Sequence, residues 1–476
     1  MAPPYPFPPV TPIGTAENPL RVAVVGSGPA GFYATESLLA AEPAVEVDMF
    51  DRLPTPFGLV RAGVAPDHPK IKNVIRRYEK TAANEGFRFF GNVEIGADLT
   101  VAELAERYHA LLYAYGTATD RKLGIPGEDL PGSHPATSFV AWYNAHPDFA
   151  GHTFELDVKR AVVIGNGNVA TDLARMLLLP RDELAQTDTA DHAIEALAES
   201  RIEEVVVLGR RGPAQAAFTN PEVRELGELT DADVVIGPAE VDLDEASREY
   251  LESDDCDPTQ RRNVEIFTDF ANREPEGKPK RVVLKFRRSP IEIQGSGRVE
   301  RLVVGVNELY RSDDGRIRAR DTGEREVIDC GLVLRSIGYK GVPLEGLPFD
   351  ERRGVIPNDA GRVTDPDSGD QLDGHYAVGW IKRGPSGVIG TNKKDAQETV
   401  GAILDDLSEG RIPERPSAAP PIEELLGERD GKHVTYLGWQ AIDRAEVAAG
   451  EPHGRPRVKF CTVEEMLEAA RAEVAS

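Results

Sequence analysis

The sequence predicts an α/β protein of two three-layer units, the second inserted into the first. Three observations lead to this. An apolar run, a glycine turn and an apolar helical pattern follow one another at Val22–Ala41 and again at Ala161–Leu179. The strand after the first turn ends in an acid, and the strand after the second ends in two arginines. A third strand, glycine turn and helix, at 375–407, reads as a return of the chain to the first unit. At 476 residues the chain is roughly three times a typical domain length, so two or three domains are expected.

Residues 1–20 are proline-rich, with no basic residue before Arg21 and no apolar core of signal-peptide length, and read as an irregular lead-in. Residues 21–117 are the first part of the first domain. Val22–Val25 is a strand, Gly26-Ser27-Gly28-Pro29-Ala30-Gly31 is the turn, and Phe32–Ala41 is helical. Gly26 allows the tight turn, Gly28 lets a backbone approach a pyrophosphate, and Gly31 lets helix and strand pack closely. The helix start offers free amides and a positive dipole end to phosphates. Val45–Phe50 then ends at Asp51, a carboxylate able to accept from both ribose hydroxyls. Together these make a dinucleotide site of the Rossmann type.

A proline- and glycine-rich stretch, 53–73, follows and cannot form a long helix. Loops of that length inside a domain are usually functional. His68 sits in it. A lone loop histidine is ordinarily a surface residue, and only its place beside the fingerprint singles it out. A helical pattern at Ile71–Asn84 and strands at Phe87–Ile95 and Leu111–Tyr115 complete this part.

Residues 118–340 form the second domain. After a crossing segment, Ala161–Ile164 leads into Gly165-Asn166-Gly167-Asn168-Val169-Ala170 and a helix over Thr171–Leu179. The next clear strand, Val205–Leu208, ends in Gly209-Arg210-Arg211 and carries no acid. An acid selects free ribose hydroxyls, whereas paired guanidiniums suit a 2′-phosphate. One site is therefore built for FAD or NAD and the other for NADP. Residues 213–270 read as loop and helix, and strands resume at Val282–Arg287, Leu302–Leu309 and Gly331–Ile337. Residues 341–476 are the second part of the first domain with a C-terminal extension. They hold Trp380, a further glycine turn at 384–390, a proline-rich linker at 413–421 and a last helix, with no chemistry legible beyond the linker.

Cys256, Cys330 and Cys461 are widely separated with no CxxC, which argues against a disulfide framework, a zinc site or a cysteine-ligated cluster. No metal is expected, and reduced cysteines point to the cytoplasm. A net charge of −25 disfavours nucleic acid and anionic membrane as partners, and no apolar run spans a bilayer.

These motifs together resemble the adrenodoxin-reductase-like ferredoxin–NADP+ reductases, including bacterial members with a C-terminal extension. The resemblance runs from about residue 20 to the end. It is dense at GSGPAGFYA, FGLVRAGVAPDHPKIK, GNGNVATDLAR, GRRGPAQAAFT, SIGYK and GWIKRGPSGVI. It implies non-covalent FAD held by Ala30, Asp51, Leu59, Val93, Trp380, Gly387, Val388 and Ile389. It implies NADP(H) held by Asn166, Gly167, Asn168, Val169, Arg210, Arg211, Glu222 and Gly387. His68, Asp172 and Glu225 match positions near flavin and nicotinamide. Arg224 matches a position that docks a ferredoxin-type iron–sulfur protein, with Arg261 and Arg262 as further candidates. The implied activity is hydride transfer from NADPH to FAD, then single electrons to the ferredoxin. Two alternatives stay open: another two-nucleotide NADPH oxidoreductase of diaphorase or quinone type, and a non-catalytic nucleotide-sensing flavoprotein.

Overall fold

The structure, a computed structural model, describes residues 11–414, 420–429 and 431–472. The first ten residues of the lead-in and residues 415–419 of the proline-rich linker lie outside them. Two parallel sheets organise the chain. In the first the strand order is 358–359, 362–364, 371–377, 110–113, 20–25, 45–51 and 87–91. Its central strands are parallel, and two short antiparallel strands close one edge.

Side chains alternate across this sheet as strand geometry requires. Val22 and Val24 pack with Phe32, Leu38, Val400 and Ile403, whereas Ala23 and Val25 pack on the other face with Leu104, Ile356 and Ile381. Both faces are covered, which is why the strands read as apolar runs.

The second sheet, in order 133–135, 332–335, 160–164, 204–208, 280–285 and 232–236, is wholly parallel. Helices cover one face, where Ala161 and Val163 meet Leu173 and Leu177. A three-stranded antiparallel sheet, Arg288–Gln294, Arg301–Arg311 and Ile317–Asp329, covers the other, where Val162 and Ile164 meet Leu302 and Val304. The outer layer on that side is thus a sheet. The strand Ala232–Ile236 falls inside the stretch expected to be loop and helix. It is a five-residue edge strand paired on one side only, too short to show a period.

The segments leaving and re-entering the first sheet pair with each other, Thr119–Asp120 against Tyr339–Lys340. The stretch 53–73 holds two one-turn helices, Leu59–Ala62 and Pro69–Lys72, and the next helix starts only at Ile75. Among the described residues, no helix is long and apolar enough to cross a membrane.

Candidate functional site

Both fingerprints deliver their helices to one continuous cleft of about 1730 Å³ between the two sheets. That exceeds the roughly 300–1,000 Å³ of a single small-ligand pocket. The first helix starts at Pro29 behind Gly28, the second at Asn168 behind Gly167, and neither start carries a side-chain cap. Two sets of unpaired amides therefore open on the same space. Gly26 has φ +107°, and a Cβ there would lie 2.6 Å from the Tyr115 Cα. A Cβ on Gly31 would overlap the Gly26 carbonyl, whereas a Cβ on Gly28 would meet nothing within 4 Å. Backbone is close where helix and strand pack and bare where a pyrophosphate would lie.

Asp51 lines the cleft at the end of its strand. Its carboxylate accepts from the Leu53 amide at 3.0 Å, the Ser27 amide at 3.0 Å and the Ser27 hydroxyl. Burial raises its pKa against those bonds. Gly26, Gly28, Ala30, Leu59, Val93, Trp380, Gly387, Val388 and Ile389 line the cleft with it. Leu59 is 41% and Val388 57% exposed, apolar surface on the same cleft that Trp380 lines. Gly387 has φ +81°, and the Thr391 side chain fills the place of a Cβ. The bare amides, apolar walls and half-buried acid fit an FAD.

Across the cleft lie Asn166, Gly167, Asn168, Val169, Asp172, Arg210 and Glu222. The Asn168 side-chain oxygen accepts from the Thr219 amide at 2.8 Å, tying the fingerprint helix to the segment before Glu222. Arg210 and Arg211 are exposed and, among the described residues, make no ion pair. Burial and the Arg210 charge lower the Arg211 pKa. Two unneutralised guanidiniums side by side fit a phosphate dianion. Arg210 lines the cleft, whereas Arg211 stands just outside it. Asn307, which the sequence did not single out, donates to the Arg210 carbonyl at 2.9 Å and to the Ser289 hydroxyl at 2.8 Å.

His68 is no surface residue: its side chain is 10% exposed. Its Nε2 lies 2.7 Å from the Glu225 carboxylate, and its Nδ1 lies 3.8 Å from Asp172 and 3.7 Å from Glu222. Glu225 does not line the cleft and reaches it through His68. The centre of this group is Arg175, which sequence reasoning missed. It is 3% exposed and donates to Asp67 at 2.9 Å, Asp172 at 2.7 Å and Glu222 at 3.0 Å. Its Nη2 is also 2.8 Å from His68 Nε2. The one available signal was its place one turn after Asp172, the spacing that puts an Asp and an Arg on one helix face. His68, Asp172 and Glu222 offer donor atoms within 4.8 Å of one another, but Arg175 already holds both carboxylates.

One guanidinium shared among three acids cannot neutralise each fully. Burial, with Glu222 and Asp67 adding to it, therefore pushes the Asp172 carboxyl up to about 7. A folded pKa above the unfolded value means that the folded state binds the extra proton. Asp172 thus costs stability as pH rises from about 4 to about 7. In Asp172→Asn that component of the slope disappears, which melting temperature against pH for both proteins checks; parallel curves would refute it.

Arg224 is exposed on the helix Asn220–Leu226, between Glu222 and Glu225. Arg261 and Arg262 lie on the helix Pro258–Ala271. Arg261 is occupied by the Leu251 carbonyl at 2.7 and 2.9 Å, and Arg262 by Glu265. None of the three lines the cleft.

Residues 20–217 match the pyridine nucleotide-disulphide oxidoreductase family. The chain is 52% identical over 454 residues to the NADPH-ferredoxin reductase FprA of Mycobacterium leprae, covering 94% of this chain and 97% of that one. It is 42% identical to the mitochondrial NADPH:adrenodoxin oxidoreductase of Arabidopsis thaliana, covering 96% of each. The solved structure of Mycobacterium tuberculosis FprA with NADPH superposes with a TM-score of 0.90 at 50% identity. It covers 95% of this chain and all of that one.

Proposed function

The chain belongs to the NADPH-ferredoxin reductases of the adrenodoxin-reductase type, and on that premise we propose how its residues divide the work. It is an FAD-dependent oxidoreductase that carries electrons from NADPH to a ferredoxin-type iron–sulfur protein. FAD, when bound, supplies the exchange between a hydride and single electrons.

The observation that carries the reading is the single cleft with two uncapped helix starts, one beside Asp51 and the other beside an arginine pair that has no acid partner among the described residues. Residues 21–117 and 341–476 hold the flavin, and residues 118–340 are an inserted NADP(H) domain. Gly26, Gly28 and Ala30 leave backbone amides for the FAD pyrophosphate, and Asp51 takes its ribose. Leu59, Val93, Trp380, Gly387, Val388 and Ile389 exclude water from the ring system. Asn166, Gly167, Asn168 and Val169 hold the NADP(H) pyrophosphate, while Arg210 and Arg211 take the 2′-phosphate. His68, Asp172 and Glu222 would lie where the two ring systems meet, with Glu225 behind His68. They hold charge and protons there, and no covalent nucleophile is needed. Orientation is the protein's main contribution.

Purified protein is expected to be yellow, to release FAD on denaturation and to bleach on anaerobic addition of NADPH. Extraction of FMN alone, or a flavin that NADPH leaves oxidised, would overturn the reading.

Arg224 would meet an acidic ferredoxin, since it is exposed on the helix that carries Glu222 and has no acid paired to it among the described residues. Arg261 and Arg262 would contribute less, since each already has a partner. Ferredoxin reduction should therefore slow as salt rises, because screening shortens to about 8 Å near physiological ionic strength. Stopped-flow rates that stay flat or rise across a salt series would point away from this docking.

A further inference from the structure

The C-terminal extension, in which the sequence shows no chemistry, carries a buried charge network that reaches the wall of the cleft at Arg61 and Asn144. The Lys459 side chain is 1% exposed. Its nitrogen donates to the Asp188 carboxylate at 3.1 Å, the Asn144 side-chain oxygen at 3.1 Å and the Arg61 backbone carbonyl at 3.2 Å. Asp188 accepts from Lys72 as well, through both oxygens at 2.7 and 2.8 Å. The Arg61 guanidinium is in turn held by Glu446, whose side chain is fully buried and which also accepts from the Phe460 amide at 3.0 Å. Arg455 donates to the Thr187 carbonyl at 3.1 Å and pairs with Asp191.

Three parts of the chain converge here. Arg61 and Lys72 bracket the loop that carries His68. Asp188 and Asp191 belong to the layer packed against the second sheet, beside the buried Ala190 and Ala193. Glu446, Arg455 and Lys459 come from the C-terminal extension. Arg61 lies in the helix Leu59–Ala62, whose last carbonyls have no partner within so short a helix. Lys459 supplies one. A buried ammonium is costly unless every donor is used, so an apolar residue would have served if filling space were the task.

We propose that residues 436–461 act as a clasp and that Lys459 is a positioning residue for hydride transfer, pinning the His68 loop at both ends against the NADP(H) domain. Burial, with Lys72 and Arg61 nearby, brings Lys459 down to about 7, since one carboxylate serves two lysines. A neutral amine there still donates to Asn144 and to the Arg61 carbonyl. The consequence lies at His68, whose 2.7 Å contact to Glu225 crosses between the domains. A misplacement of about 1 Å at such a site costs up to roughly a hundredfold in rate.

The role of Lys459 in transfer rests on the functional reading above; its role in holding the loop does not. The test is hydrogen–deuterium exchange on the FAD-loaded full chain, comparing wild type with Lys459→Met. Exchange over residues 59–72 should quicken at least about tenfold, while strands 20–25 and 160–164 stay protected. Flavin reduction at saturating NADPH should slow at least about tenfold, with half-saturating NADPH changed less than about twofold. Unchanged exchange over 59–72, or an equal rise in both sheets, would overturn the clasp. Normal reduction with a loosened loop would overturn the link to hydride transfer. Should Lys459→Met not yield soluble protein, Lys72→Met breaks the same network from the loop side and decides the same way. Exchange is read without NADPH or acceptor, so its failure stays distinct from failure of the proposed function.

Discussion

Replacing Arg210 and Arg211 together by alanine lowers affinity for NADPH by roughly two to four decades and leaves NADH nearly unchanged. Each guanidinium on a phosphate contributes about 1.5–3 kcal/mol as a charge-assisted hydrogen bond, and about 1.4 kcal/mol is a decade. The structure supports that use, because neither arginine pairs with an acid among the described residues and both are exposed. Arg210 should bear the larger share, since it lines the cleft and Arg211 does not. The maximal rate of flavin reduction should change less than affinity, because contacts far from the reacting atoms are uniform binding. Flavin reduction against concentration of each cofactor, in wild type and double variant, decides it. Equal losses for NADPH and NADH would mean that the pair supports the fold and does not read a phosphate.

Arg175→Met is expected to destabilise the protein by about 3–5 kcal/mol, because it strands buried carboxylates with no cation. Asp67, Asp172 and Glu222 all turn to this one side chain. Asp67 is held below the usual carboxylate range chiefly by Arg175, which overcomes the opposing effect of burial. Without that charge Asp67 loses what holds it ionised against burial, Asp172 is pushed further up, and His68 should lose its fixed place against Glu225. Chemical denaturation followed by flavin fluorescence and circular dichroism tests the first effect. The pH dependence of flavin reduction tests the second, with the variant gaining a steeper loss of rate above neutrality. A variant as stable as wild type with an unaltered pH profile would show that Arg175 is not the hub.

The sequence alone determined the α/β fold class and two dinucleotide sites, one for FAD or NAD and one for NADP, and the family resemblance singled out FAD. Short-range constraints are written locally, in Gly26, Gly28 and Gly31, in Asp51 at the end of the next strand, and in Arg210 and Arg211 where that acid is missing. Each is dictated by its own turn or strand end, so periodicity and spacing suffice to read it. The strand Ala232–Ile236 was not legible and the antiparallel layer at 288–329 only partly, because edge strands and hairpins owe their form to what they pair with.

Only the tertiary structure decided which charges meet. Beyond the Asp172–Arg175 spacing, nothing local shows that Arg175 also gathers Asp67 and Glu222, that His68 meets Glu225 on the helix Asn220–Leu226, or that Lys459 closes on Arg61 and Asp188. A buried charge is tolerated only when partners distant in the chain converge on it. Convergence is a property of packing, and it leaves no period in the sequence.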